Sequence, residues 1–421
     1  MEAVFEKIRK YNPWDGNLPE TGYQRTTYLE QIKSYMGNKL IKVIVGQRRT
    51  GKSYILRQLI NHLISGLKVN PENIFYLNKE FLAFDEIQTA TDLENLFQYY
   101  KTRLQPEGKI RIFLDEVQNI AGWEKFVNSY AQDFTAEYEL FITGSNSKLL
   151  SGELASLLSG RYVEFEVFPF SLKEMAEAKN HTISRDFFIG YMKTGGLPET
   201  INFNNEELCR NYVDDLKNTI ILRDIVQRHK VHDPVLLEDI FRFQATNTGN
   251  LTSITGIVNY FKSRQRKTNY ETLSTYIGYL QDAFLVHVAE RYNLRGKQTL
   301  GGVRKYYLND PAFRSYFFAF YPQDTGYYLE NYVFVQLKRL GYKVYVGVLN
   351  GHEIDFVAQK ADKTTYFQVA YLLSEPATIE REFGNLLAIK DNYEKVVISL
   401  DEISFSDYQG IRHIKPWELI E

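Results

Sequence analysis

Hydrophobic positions along this chain switch repeatedly between strand-like and helix-like spacing. "LIKVIVG", residues 40–46, is a β-branched apolar run suited to a buried parallel strand. In "SYILRQLINHLI", which begins at Ser53, the apolar residues Ile55, Leu56, Leu59, Ile60, Leu63 and Ile64 recur at helical spacing. "KIRIFLDEVQNI" carries a second apolar strand at 110–114, and "YELFITGSNSKLL" a third. "SGELASLLSGRYVEFEVFPFS" reads as an apolar helix, then Gly160–Arg161, then a strand. In "YMKTGGLPET", Gly195–Gly196 break a helix and Leu197–Pro198 restart one, because proline is tolerated in a first turn. The stretch 204–232 is helical. "LTSITGIVNYF" and "NYETLSTYIGYLQDA" predict two more helices, the second with Leu273, Tyr276, Ile277 and Leu280 on one face. "FLVHVAERYNL" and "GVRKYYLND" predict strands around a turn from Leu294 to Gly302. Finally "YYLENYVFVQLKRLG" is an amphipathic helix, and "YKVYVGVL", "HEIDFVAQK" and "TTYFQVAYLL" are strands. Such alternation predicts an α/β protein.

At 421 residues the chain exceeds one ordinary core, so several domains are expected. A 44% hydrophobic and 24% charged composition is that of a globular protein, and 31 Tyr with 28 Phe predict aromatic cores. The net charge of −2 gives no global nucleic-acid signature, so any basic surface is local. A lone cysteine, Cys209, excludes an intramolecular disulfide or a cysteine-rich zinc site and fits a reducing cytoplasm. "MEAVFEKIRKYNPW" lacks a signal-peptide profile, and no apolar run reaches the roughly 18 residues a membrane span needs. A cytoplasmic protein with no membrane partner is expected.

Between the first strand and its helix lies "GQRRTGKS", the G-x-x-x-x-G-K-[ST] spacing of a Walker A phosphate loop. Glycine at 46 and 51 lets the backbone approach phosphates, and the helix N-terminus adds free N–H groups and a positive dipole end. The expected ATP contacts are Gly46, Gln47, Arg48, Arg49, Thr50, Gly51, Lys52, Ser53 and Tyr54. Lys52 reaches the β- and γ-phosphates and Ser53 holds Mg²⁺. At the end of the 110–114 strand, Asp115 is the expected Walker B magnesium partner and Glu116 the group that polarises the attacking water. Thr143, Ser145 and Asn146 close the third strand, where α/β sheets bind ligands. Asn146 is the first choice to sense the γ-phosphate or the water, and Ser145 is its near rival. A nucleotide kinase is disfavoured, since adjacent acids suit water activation better than a second phosphate acceptor.

"GQRRTGKS", "LDEVQNIAGWEKF", "ITGSNSKLLSGELASLLSGR" and "FPFSLKEM" resemble the AAA-type ATPases of bacteria and archaea whose C-terminal half is a domain of unknown function. "TGGLPE", "ILRDIVQRH" and "EIDFVAQK" extend the resemblance over nearly the whole chain. It implies an ATP-dependent machine related to archaeal and signal-transduction ATPases, with an ASCE-type parallel sheet carrying the catalytic Glu on its own strand; a signalling switch that binds ATP tightly and turns it over slowly is the alternative. In ring ATPases an arginine placed like Arg161 faces the neighbouring subunit's nucleotide, which implies a homo-oligomer; a helix-capping role stays equally open. In related switch ATPases a proline placed like Pro198 packs on adenine, while an ordinary helix–helix turn is the alternative. Arg223 is a weaker second phosphate sensor, with a surface ion pair preferred.

Helix, helix and β-hairpin over 233–310 form a winged-helix pattern. Residues 250–309 hold nine Lys or Arg against three Asp or Glu, a local charge of +6. Lys262, Arg264, Arg266 and Lys267 precede the second helix, and Arg295 and Lys297 lie on the wing tip, as duplex DNA phosphate contacts would. Asn269, Thr272, Ser274 and Thr275 are weak base-contact candidates, and a protein-docking role is the alternative. The last hundred residues resemble the restriction-endonuclease-like fold, with Glu330, Asp355 and Gln368 in its metal-site places. Ala370 stands where that site wants lysine, so a catalytically degenerate binding module is expected and an ATP-regulated nuclease is the minor alternative. The expected architecture is an N-terminal segment at 1–35, an AAA-type core at 36–170, a helical lid at 171–232, the winged helix at 233–310 and the nuclease-like domain at 311–421. Linkers are expected near 232–234 and 309–326.

Overall fold

The computed structural model describes residues 2–150, 160–318, 320–321, 324–373, 375–402 and 408–419. The chain forms two compact units, Met1–Val167 and Phe168–Glu421. The helix expected ahead of Gly160 lies outside the described residues.

The first unit is built on five strands: β1 (Ile41–Val45), β2 (Ile74–Asn78), β3 (Ile110–Asp115), β4 (Tyr138–Gly144) and β5 (Tyr162–Glu166). They lie in the order β2-β3-β4-β1-β5, and every pairing is parallel. Every residue of β1, β2 and β4 is buried, so these strands read as continuous apolar runs rather than alternating ones. β4 lies between the P-loop strand and the acid-bearing strand, which is the ASCE arrangement. Asp115 ends β3 and Glu116 follows it directly, so the expected catalytic glutamate stands on no strand of its own.

One face of this sheet is covered by the Lys52–Asn61 helix, whose Ile55, Leu56 and Leu59 are fully buried and pack with Ile44, Phe113 and Phe141. Phe113 and Phe141 stack at 4.5 Å. A second aromatic layer joins Phe97 to Phe75, Phe126 and Tyr130. The N-terminal segment closes the open edge at β2. Asn12 Nδ2 donates to the Tyr76 carbonyl, its Oδ1 accepts from Tyr76 N–H, and Trp14 Nε1 donates to the Ile74 carbonyl. A free strand edge is thereby capped by side chains.

Among the described residues the second unit holds eight more strands, in the order β13-β12-β11-β10-β9-β7-β8-β6. They are β6 (Thr252–Ser253), β7 (Val286–Asn293), β8 (Gln298–Leu308), β9 (Lys343–Leu349), β10 (His352–Lys360), β11 (Lys363–Ala370), β12 (Glu394–Ser399) and β13 (Arg412–Ile414). Helices Pro234–Thr246, Ile254–Ser263 and Tyr270–Asp282 precede the β7–β8 hairpin, and β6 pairs with β8.

Two features bear on the expected domain bounds and linkers. β7 pairs in parallel with β9, so one sheet runs through the expected boundary at 310. The expected linkers are also packed. Asp233 caps a helix by accepting from Leu236 N–H, and Asn309 and Asp310 are 3% and 1% exposed. A single apolar cluster from Leu197 through Val213, Ile240 and Leu280 to Phe313 spans the expected lid and winged-helix segments, so buried contacts replace the anticipated breaks.

Candidate nucleotide site

The Walker A loop has the backbone that phosphate binding requires. Gly46 sits at φ 148° and Gly51 at 94°, both in the region that side chains avoid. A Cβ on Gly46 would lie 2.3 Å from the Val167 carbonyl oxygen. Arg49 also has positive φ, at 68°. The loop ends at the N-terminus of the Lys52–Asn61 helix, where N–H groups and the dipole favour an anion. Lys52 is 4% exposed, and its Nζ donates to the Gly46 and Gln47 carbonyls at 2.9 Å each. Thr50 Oγ1 donates to the Gln47 carbonyl. Gln47, Arg48 and Thr50 are buried, and Arg48 pairs with Glu80 at 2.5 Å. Tyr54 is half exposed, with the Arg57 guanidinium 4.8 Å over its ring.

Arg25 is a supporting residue absent from the sequence reading. It is 1% exposed, and its Nη1 donates to the Thr50 carbonyl at 2.8 Å. Its backbone N–H is held by Gln58 Oε1 from the P-loop helix. No motif spacing links position 25 to position 50; only the packed N-terminal segment does.

The acid pair meets the loop at the carboxyl edge of the sheet. Asn78 and Asp115 are register partners, and Asn78 Nδ2 donates to Asp115 Oδ2 at 2.7 Å. Tyr76 donates to the same oxygen, and Thr143 Oγ1 donates to Asp115 Oδ1 at 2.5 Å. Glu116 has φ 55°, an uncommon conformation for a residue with a side chain, and its N–H donates to Thr143 Oγ1. Thr143 therefore fixes both acids. The Glu116 carboxylate lies 3.8 Å from Lys52 Nζ and accepts from Gln118 Nε2, which also reaches Ser145 Oγ at 3.3 Å.

The two acids have opposite electrostatics. Burial and the Glu116 charge push the Asp115 pKa up to about 6, against hydrogen bonds from Thr143 and Ser53 and the Lys52 charge. Burial also opposes ionisation of Glu116, but Lys52, Arg48, Gln118 and Ser145 together hold it below the ordinary carboxylate range. Glu116 is thus an ionised acceptor, while Asp115 favours a cation beside it. Ser53 and Asp115 are hydrogen-bonded oxygen donors, a hard set that suits Mg²⁺.

Ser145 is joined to Glu116 through Gln118, and Asn146 is buried at the next position. Arg161 is exposed, and its carbonyl accepts the first N–H of β1 at 2.9 Å. Pro198 opens a short 3₁₀ helix, Pro198–Asn202, in the second unit. Arg223 is exposed there within the wide-turn helix Ile220–Gln227.

The basic segment is less charged than its sequence suggests. Arg266 pairs with Asp233 at 3.1 Å and Asp239 at 3.7 Å, which removes it from the free phosphate contacts. Lys262, Arg264, Lys267, Arg295 and Lys297 are exposed. Asn269 Oδ1 caps the Tyr270–Asp282 helix by accepting from Thr272 N–H, so that oxygen is committed to the fold.

In the nuclease-like cluster, Asp355 N–H donates to Gln368 Oε1 at 3.4 Å, and Asp355 Oδ2 accepts from Val369 N–H. Lysine is absent from position 370, but Lys305 of β8 enters from across the sheet. Its Nζ lies 2.8 Å from Glu330 and 2.7 Å from Glu353. Burial disfavours its charge, but Glu330, Asp355 and Glu353 outweigh that and raise its pKa. Burial and Glu330 push Asp355 well above the carboxylate range, with Lys305 opposing. Among the described residues no group of three or more His, Cys, Asp or Glu is disposed to hold a metal ion. No described helix is long and apolar enough to cross a membrane.

An AAA domain family matches residues 38–176, and a domain of unknown function (DUF8612) matches 185–324. An uncharacterized protein of Haemophilus influenzae is 38% identical over 394 residues, covering 93% of this chain and 96% of the relative. The uncharacterized protein MJ1544 of Methanocaldococcus jannaschii is 29% identical over 381 residues, covering 86% and 80%. Among solved structures, Aeropyrum pernix ORC1 in complex with DNA aligns with a TM-score of 0.35 and 13% identity, over 69% of this chain and 91% of that one. AMPPCP-bound DnaA from Aquifex aeolicus aligns at 0.31 and 13%, over 65% and 91%. Both alignments are too loose to bear on function. Matched in family over its P-loop core and along almost its full length by the Haemophilus relative, the chain belongs to the AAA-type P-loop ATPases that carry an additional C-terminal domain.

Proposed function

We propose that this protein binds Mg-ATP and hydrolyses the β–γ phosphoanhydride, and that nucleotide state drives a conformational change in C-terminal domains that engage DNA or a protein partner. The observation that carries the chemistry is the acid pair, an ionised Glu116 beside Asp115, locked together by Thr143 and facing Lys52. Lys52 and the loop N–H groups hold the phosphate tail. Glu116 accepts the proton of the attacking water, and Gln118 and Ser145 hold its carboxylate in place. Ser53 and Asp115 would hold magnesium, which supplies charge neutralisation at the phosphates. Asn146 senses the γ-phosphate, Pro198 packs on adenine, and Arg161 acts on the nucleotide of a neighbouring copy.

The element order helix, β6, helix, helix, β7, β8, with β6 on β8, supports a winged-helix reading of 233–310. The exposed Lys262, Arg264 and Lys267 favour duplex DNA as its partner. Ala370 stands in place of the lysine expected beside Asp355 and Gln368, which supports a binding role for the C-terminal sheet over cleavage.

Two substitutions test the chemistry. Lys52→Ala is expected to weaken Mg-ATP binding and turnover together, while Glu116→Gln keeps binding and loses turnover by at least about 10²-fold. Phosphate release and equilibrium nucleotide binding read the two effects. Normal hydrolysis by Glu116→Gln would remove the assignment of the base.

A further inference from the structure

Within the second unit, the β7–β8 hairpin and the sheet formed by β9, β10 and β11 enclose a cavity of about 750 Å³. The Pro376–Leu387 helix packs Phe383 and Leu386 onto part of this sheet, in one apolar cluster with Val357 and Tyr366. Tyr366, Tyr292 and Tyr393 line the cavity next to that cluster. Their rings are held in place from behind. Tyr366 donates its hydroxyl to Asp391 at 2.7 Å and meets Tyr393 edge-on at 6.2 Å, and Tyr292 packs on Tyr345 at 5.4 Å. Tyr393 is 47% exposed and offers its ring to a ligand.

Two separate chain segments bring cations to the same cavity: the hairpin turn gives Arg295 and Lys297, and the segment after the Pro376–Leu387 helix gives Lys390. The turn is rigid. Asn293 Oδ1 accepts from the N–H groups of Arg295 and Gly296, and Leu294 N–H is tied to the Val348 carbonyl of β9. The nearby acid, Asp391, is already engaged by Tyr366 and by Lys395 at 3.6 Å. Positive charge therefore remains in excess around an aromatic recess.

We propose that this recess binds single-stranded nucleic acid, with bases stacking on Tyr393 and Tyr292 and the backbone phosphates drawn to Arg295, Lys297 and Lys390. Tyrosine faces backed by cations are the combination that holds unpaired bases without demanding a sequence. A recess lined by aromatic side chains suits unpaired bases, whose faces are free to stack, better than the paired and stacked bases of a duplex. Cations on two chain segments suit a continuous chain of phosphates better than one phosphate. The site depends neither on ATP turnover nor on duplex binding by the preceding helices. It gives Arg295 and Lys297 a second use, away from a duplex wing contact.

The test is fluorescence anisotropy of the full chain with labelled oligothymidylate of about twelve residues and no nucleotide, within the size range of single-strand sites. Three phosphate contacts predict a slope of log K against log salt of about −2. Tyr393→Ala is expected to weaken binding by about fivefold or more, and Arg295→Glu with Lys297→Glu by about tenfold or more. Duplex of equal length is expected to compete poorly. Wild-type affinity in Tyr393→Ala, equal competition by duplex or polyglutamate, or saturation of the site by thymidine monophosphate alone would each overturn the proposal. Where a variant fails to match the wild-type melting midpoint, photocross-linking of 5-iodouracil-substituted oligonucleotide to the wild-type chain decides. Adducts at Tyr292 or Tyr393 support the site, and adducts confined elsewhere reject it. Failure of any arm leaves the ATPase assignment standing.

Discussion

A methyl group on Gly46 would lie 2.3 Å from the Val167 carbonyl oxygen, so at this residue close backbone packing and phosphate binding make the same demand. Gly46→Ala is expected to cost about 1–3 kcal/mol of stability, as overpacking does, and to weaken Mg-ATP binding at least tenfold because the loop must shift. Thermal melting and calorimetric nucleotide titration measure the two losses. Motif spacing made Lys52, Ser53, Asp115 and Glu116 legible, since each stands at a fixed distance from a glycine or a strand end. Arg25, Asn78 and Gln118 were not legible. Arg25 and Asn78 reach the site from chain segments with no spacing rule to it, and Gln118 gains its meaning only when the positive φ of Glu116 turns the chain.

Whole elements rest on equally specific contacts. Lys42 is the second residue of β1, 0% exposed, with its Nζ 2.8 Å from Glu139 of β4. Burial lowers the Lys42 pKa against the raising influence of Glu139. The charged residue within "LIKVIVG" is satisfied by Glu139 of the neighbouring strand and by Asn38, whose carbonyl and Oδ1 accept from its Nζ at 3.2 Å each. Lys42→Met is expected to destabilise the first unit by about 3 kcal/mol or more in urea unfolding, because Glu139 loses its closest cation. The double variant with Glu139→Met recovers most of that loss, since a buried pair replaced by apolar groups costs little. Strands and helices around the motifs were readable from periodicity, as the Lys52–Asn61 helix shows. β2 was missed despite complete burial, because a five-residue apolar run without a motif carries little signal.

At the scale of the molecule, Asp310 joins segments far apart in the sequence. It accepts from Gly196 N–H and Ala312 N–H at 2.8 Å each, and burial pushes its pKa up to about 7 against those two bonds. The folded chain then holds a proton that the unfolded chain releases near the ordinary value of 3.8. Stability from this group is full below 3.8 and falls as pH rises toward about 7. Asp310→Asn is expected to flatten that slope when denaturation midpoints are compared across the window. Assembly is tested at the same scale: with Arg161 acting between copies, specific ATPase activity rises with protein concentration, and Arg161→Ala abolishes the rise. Constant specific activity in the wild type would exclude the role.

The sequence alone determined the phosphate loop, the acid pair and the α/β class, because these depend on local spacing and periodicity: a glycine that must turn, a strand that must be apolar, a helix that begins at a lysine. Tertiary structure decided what spacing cannot encode. It fused β7 to β9 across an expected domain boundary, paired Arg266 with Asp233, and brought Lys305 to Glu330. Each of these joins residues whose proximity is set by packing rather than by chain distance.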